Sequence, residues 1–200
     1  KKKNMNDDTQ ELFWQLLTGH HFEDGLNLKT SLPFNFTVAV FRFNDYVSEA
    51  LEQKATYFFK TSDNVIVPLY TIDSQDIIVL IGTNTQINES ELSEAKLLDV
   101  YKQFLKRFQK NLSDHVGIHQ INMGFGGIYN DYRSVAKSYQ EAKVVLNVHD
   151  KFAAETKEIF GYQELGIYQF LDLLLNERSK KGMENIALKK LIDYDMKNNT

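Results

Sequence analysis

"NVIVPLYTIDSQDIIVLIG", residues 64–82, decides the fold. Two β-branched, apolar runs, 64–70 and 75–82, flank TIDS, which reads as a turn; the pair is a β-hairpin. Pro68 lacks a backbone donor, which places its strand at a sheet edge or a bulge. Upstream, NFTVAVFRF (35–43) reads as a buried strand between Pro33 and Asn44. A helix over 45–60, capped by Asp45, separates it from the hairpin. Downstream, the longest helix is expected over 88–112, capped by Asn88 or Ser90. Its Leu92, Ala95, Leu98, Tyr101, Leu105, Phe108 and Leu112 recur at three- and four-residue steps. A strand at about 116–125 and a helix at 131–147 follow. The order is β-α-β-β-α-β, the split βαβ or ferredoxin-like arrangement. It predicts an α+β fold with an antiparallel sheet and its helices on one face. A short strand-like piece, EIFGY (158–162), comes after.

The flanks are helical. In DDTQELFWQLLTG (7–19), Asp7 or Asp8 caps the start, Leu12, Phe13, Leu16 and Leu17 form the apolar stripe, and Gly19 is the stop. Residues 22–32 read as a connector, and further helices are expected at 165–175 and 183–195. The predicted divisions are 1–32, a linker helix and connector; 33–162, the sheet domain; and 163–200, C-terminal helices.

The chain has 200 residues, 42% of them hydrophobic and 25% charged, in the range of an ordinary globular domain. A net charge of −4 argues against gripping a nucleic-acid backbone unaided, since that needs clustered Lys and Arg. The absence of cysteine excludes disulfides, thiolate zinc sites and a Cys nucleophile. No apolar run approaches the ~20 residues of a membrane span, and the basic start KKKNMND has no apolar region behind it, so it is no signal peptide. The start without methionine and the polar end, LIDYDMKNNT, suggest a piece of a longer chain.

Gly124, Gly126 and Gly127 stand between a strand and a helix, where glycines either cradle phosphate or turn a corner. Gly124-Phe-Gly-Gly lacks the third glycine of GxGxxG, whose place Tyr129 takes, and no Gly-Lys-Ser/Thr follows. The reading is a corner that uses positive φ and close backbone passage. His115 and His119 have a metal-pair spacing but no third ligand, and His20 and His21 follow a helix stop. Tyr129, Tyr132, Tyr139, Tyr162 and Tyr168 read as core or interface. Lys102, Lys106, Arg107 and Lys110 read as a solvated face balanced by Glu89, Glu91 and Glu94.

The βαββαβ order is also that of the nucleotidyl cyclases, including diguanylate cyclases with a Gly-Gly-Asp-Glu-Phe hairpin. In DSQDIIVLI (73–81), Ser74 and Gln75 stand in place of the glycines, Asp76 matches the Asp, Ile77 replaces the Glu and Ile78 the Phe. Four segments narrow the likeness: ELFWQLLTG; GFGGIYNDYRSVAKSYQEAKVVLNV, through Gly124, Gly126, Ser138, Ala142 and Leu146; IFGYQELGIYQFL; and LKKLIDYD. Together they resemble the degenerate GGDEF-like central domain of the CdaR/PucR group of bacterial transcription regulators.

The resemblance implies a domain without catalysis. A cyclase holds two divalent metals with carboxylates near the end of its first strand and in its hairpin. Here FRFND puts Arg42 and Asn44 where acids are expected, and Ile77 has no ligand atom. No catalytic residue, metal or cofactor is expected. The resemblance further implies a cytoplasmic homodimer, with DNA contacted only through a helix-turn-helix beyond this sequence and no membrane association. The helices at 7–18 and 165–195 are the expected dimerisation and transmission elements. An alternative is a sensor that keeps the cyclase cleft as a pocket for a small-molecule or nucleotide effector.

Overall fold

The computed structural model describes residues 5–19, 32–60, 65–83, 94–116 and 121–171. Two units are defined, Lys1–Leu165 and Gly166–Thr200. In the second, described only to residue 171, residues 167–171 are helical.

Within the first unit the order is α1 (Met5–Leu17), β1 (Phe34–Arg42), α2 (Glu49–Lys60), β2 (Ile66–Asp73), β3 (Asp76–Thr83), α3 (Glu94–Val116), β4 (Asn122–Phe125), α4 (Val135–Lys151) and α5 (Ala153–Thr156). Single 3-10 turns precede α4 and follow α5. The strands form one sheet in the order β2-β3-β1-β4 with every pair antiparallel. This is the expected α+β split βαβ sheet.

β1 is buried at nearly every position because both of its faces are covered, and its central run Val38–Phe41 is wholly apolar. Ala39, Phe41, Ile77, Val79 and Ile81 pack under α2 and α3. Phe36, Val38, Val40, Ile78 and Leu80 pack under α1 and α4. The two helices of the split βαβ unit, α2 and α3, thus share one face as expected, and the opposite face is covered as well. The stripes of α1 (Phe13, Leu16, Leu17) and α4 (Val135, Tyr139, Ala142, Leu146) cover the second face. On the first, Phe41 and Phe108 rings meet at 4.2 Å, and Phe59 stacks on Phe108 at 5.3 Å. Each such large side chain, fully buried, contributes about 1.5–3 kcal/mol.

Several boundaries move. The hairpin turn is Ser74-Gln75 alone, with Asp73 paired to Asp76, so most of TIDS is strand. Ser74 takes φ +55°, the left-handed conformation that two-residue hairpins use. α2 begins at Glu49, four residues past Asp45. Ser48 caps it, its Oγ accepting from Leu51 N at 3.3 Å. α1 begins at Met5, so Asp7 and Asp8 lie inside it. α3 runs on through Val116, which shortens β4 to four residues and puts His115 in a helix; His119 lies outside the described residues. The EIFGY strand reduces to a single parallel bridge between Phe125 and Gly161. Pro68 lies in edge strand β2 beside a register shift between Ile66 and Leu69, consistent with its missing donor. Gly19, at φ +79°, ends α1 as its position suggested.

Candidate functional site

The hairpin end of the sheet is where a cyclase would gather its acids. Alternation along β1 and β3 turns Arg42 and Asp76 toward the α4 face. The two are cross-strand partners. Arg42 Nε donates to Asp76 Oδ1 at 3.0 Å, and Nη2 donates to Oδ2 at 2.9 Å. Both side chains are largely buried, 25% and 13% exposed. The bond to Asp76 is the largest influence raising the Arg42 pKa. On the other flank Asn122 is the β4 partner of Arg42. Its amide donates to Asp150 Oδ1 at 3.1 Å, while Asp150 Oδ2 lies 3.9 Å from Arg42 Nη1. The nearby Tyr139 hydroxyl has its pKa raised, first by burial and then by Asp76 and Asp73.

The other hairpin residues are structural in their contacts. Ile77 is buried against α2 and α3, and Ile78 faces α1 and α4. The Ser74 and Gln75 carbonyls accept from Val47 N and Phe43 N, both at 3.0 Å. The loop that follows β1 is thereby tied across the hairpin tip. The side chains at this place do not fit a divalent metal pair. A guanidinium already neutralises Asp76, and the adjacent residue is an isoleucine in the core.

The glycines lie against α4. Positive φ is absent at Gly124, Gly126 and Gly127, which corrects the reason given for them. The reason is packing. A Cβ on Gly124 would reach Val145 Cγ1 at 2.6 Å, and one on Gly126 would be driven into the Ser138 carbonyl. Their amides are also engaged. Gly126 N donates to Val38 O at 3.0 Å, and Gly127 N donates to Glu141 Oε2 at 2.7 Å. The anion at this corner is thus a side chain of the protein itself. Glu141 also accepts from the Tyr129 hydroxyl at 3.0 Å, and burial raises the pKa of that phenol. Ser138 Oγ completes the corner. It accepts from Val38 N at 2.9 Å and donates to Gly127 O at 2.9 Å.

Two residue groups escaped the sequence reading. Lys102 pairs with Glu164, and Lys106 Nζ pairs with Glu158 Oε2 at 3.1 Å while lying over the Phe160 ring. Both lysines pair with the chain after α5; Lys102 is partly buried there, while Lys106, Arg107 and Lys110 are exposed, as a solvated face requires. The second group is Asn35, at φ +49°, with Tyr101, whose hydroxyl donates to the Asn35 carbonyl. A positive φ at an asparagine had only a weak signal in the sequence. The pairing with Tyr101, across 66 positions, had none. A groove of about 350 Å³ runs between α1 and β2, lined by Gln10, Glu11, Trp14, Thr71, Ile72 and Asp73. Among the described residues, no group of three or more His, Asp or Glu is placed to hold a metal, and no helix is long and apolar enough to cross a membrane.

A split βαβ sheet with helices on both faces and a degenerate hairpin at one end defines a class, and residues 23–148 match the family described as GGDEF-like domain. The match spans more than half of the chain, and the chain belongs to that family. It is also similar to the DNA-binding transcriptional activator AdeR of Bacillus subtilis (strain 168), with 39% identity over 201 residues, 97% of this chain and 46% of AdeR. The chain thus spans about half the length of that relative. No solved structure matches it.

Proposed function

We propose that this chain is a non-catalytic GGDEF-like domain of a bacterial transcription regulator of the CdaR/PucR type. It holds two chains together in the cytoplasm and passes effector state to a DNA-binding helix-turn-helix elsewhere in the whole protein. The divisions are 1–32, linker; 33–162, GGDEF-like domain; and 163–200, helices leading to the DNA-binding part. One observation carries the non-catalytic reading: the Arg42 guanidinium sits bidentate on Asp76 where a cyclase needs acids free for metal. The likeness to AdeR supports the regulatory setting.

Calorimetric titration with GTP and Mg²⁺, followed by a product assay on the same sample, tests it. The expected result is no turnover; a cyclic product would overturn the reading. Size-exclusion with light scattering tests the pairing, and a strict monomer at high concentration would overturn that part.

A sensor reading has the groove between α1 and β2 in its favour. Trp14, the chain's single tryptophan, lines it and would report a bound effector by its fluorescence. GTP binding without turnover would favour this second reading.

A further inference from the structure

The chain enters the sheet at Asn35, and three residues, Asn130, Tyr129 and Tyr101, hold that entry. Asn35 N donates to Asn130 Oδ1 at 2.6 Å, and Asn130 Nδ2 returns a bond to Asn35 Oδ1 at 3.3 Å. Phe36 and Tyr129 exchange two backbone bonds of 2.8 Å. From α3, the fully buried Tyr101 donates its hydroxyl to the Asn35 carbonyl. A non-glycine residue at positive φ persists only where its surroundings over-determine it.

The unit's exit is held as firmly. Phe125 N donates to Phe160 O at 2.8 Å, and Gly161 N donates to Glu164 Oε2 at 3.1 Å. His149 Nε2 lies 2.5 Å from Ile159 O. Again α3 takes part: Lys102 pairs with Glu164, and Lys106 with Glu158. Leu165 closes the unit, buried. Entry and exit therefore meet α3 at consecutive residues. Neighbouring side chains on a helix diverge by about 100°, so one level of α3 reaches both partners. Tyr101 also touches the exit indirectly, since its ring meets Phe125 edge-on at 6.0 Å.

We propose that α3 is the coupling element of this domain. Tyr101 and Lys102 tie the chain's entry at Asn35 to its exit at Glu164, so loosening either end loosens the other. The inference rests on the transmitting role proposed above and gives it a route. Coupling of this kind is reciprocal.

Amide hydrogen exchange on the 200-residue chain tests it. Tyr101→Phe removes the bond to Asn35 and keeps the ring. Lys102→Met removes the ion pair and keeps most of the side chain. Leu51→Ala, a core cavity in α2, which supplies none of the hydrogen bonds or ion pairs of the entry or the exit, gives the background of general destabilisation. Relative to that background, Tyr101→Phe is expected to speed exchange at residues 158–165 by roughly fivefold to tenfold, the scale of one lost hydrogen bond. Lys102→Met is expected to do the same at Asn35, Phe36 and Tyr129. Acceleration confined to the mutated end would overturn the coupling. If Tyr101→Phe does not fold, Lys102→Met carries the test alone. A null exchange result leaves the transmitting role standing. GTP turnover or a strict monomer would remove that role whatever the exchange shows.

Discussion

Arg42 and Asp76 face each other across β1 and β3 with the guanidinium on both carboxylate oxygens, at 3.0 and 2.9 Å. The geometry is a parallel fork, which makes the pair strong and directional. Deleting one partner strands the other in a largely buried place. Arg42→Leu is expected to lower stability by about 1.5–3 kcal/mol, and Asp76→Asn by a similar amount. The double variant should lose less than the sum of the two, because no unpaired charge remains. Urea unfolding of the four proteins checks this. Simple additivity would mean that the pair is not an energetic unit.

Gly126 and Gly19 are glycines for different reasons, and substitution separates them. At Gly126 a methyl group meets the Ser138 backbone carbonyl, which cannot move without shifting α4 from the sheet. Gly126→Ala is expected to cost about 3 kcal/mol or more, the upper range for overpacking. Gly19 has only Ala136 Cβ nearby at 3.8 Å, and its requirement is φ +79°. Gly19→Ala should cost about 1–2 kcal/mol. Thermal unfolding of both variants ranks them, and a reversed order would refute the packing argument.

Ser138 Oγ serves two backbone groups at once, Val38 N–H and Gly127 C=O, in a site closed to solvent. Ser138→Ala leaves both without this partner, at an expected cost of about 2–3 kcal/mol. Glu141→Gln should cost less than this, because the amide oxygen can still accept from Gly127 N. Both variants are compared by urea unfolding. A neutral Ser138→Ala would show that the corner is held by packing alone.

The sequence exposed what is periodic or local and hid what is distant. β1, the hairpin and the α3 stripe were readable because burial on two faces, strand alternation and helical spacing each leave a pattern within one segment. Ser48 and Asp45 are both good caps, and only the backbone path between Phe43 and Val47 decides between them. The second buried sheet face was present in the stripes of α1 and α4, yet no rule of spacing assigns a stripe to a face. The contacts of the candidate sites lay furthest from view. Lys106 finds Glu158 at a separation of 52 residues, and Ser138 finds Val38 at 100. A lysine that will pair with a later segment looks, in sequence, like any other lysine on a helix face.

His149 gives the fold a pH dependence of known sign. Its ring is half-buried on α4, with Nε2 2.5 Å from the Ile159 carbonyl. Burial pushes its pKa below the ordinary 6.5, and the Ile159 carbonyl and Asp150 only partly offset that shift. The unfolded chain therefore takes up a proton at a higher pH than the folded one. The stabilisation is fully present above about pH 6.5 and is lost as pH falls through that value toward the folded pKa. His149→Gln cannot titrate and should flatten this part of the profile. Urea unfolding of both proteins between pH 7.5 and 5 isolates the term, because the other four histidines are common to both. The native chain should lose stability faster than the variant on acidification. Parallel profiles would show that the ring is not shielded from water in solution. The test also reports on the exit, because the carbonyl that His149 meets belongs to the residue preceding the Phe160 bridge to β4. Charging the ring should therefore speed amide exchange at Phe125, whose N–H closes that bridge, before the rest of the sheet responds.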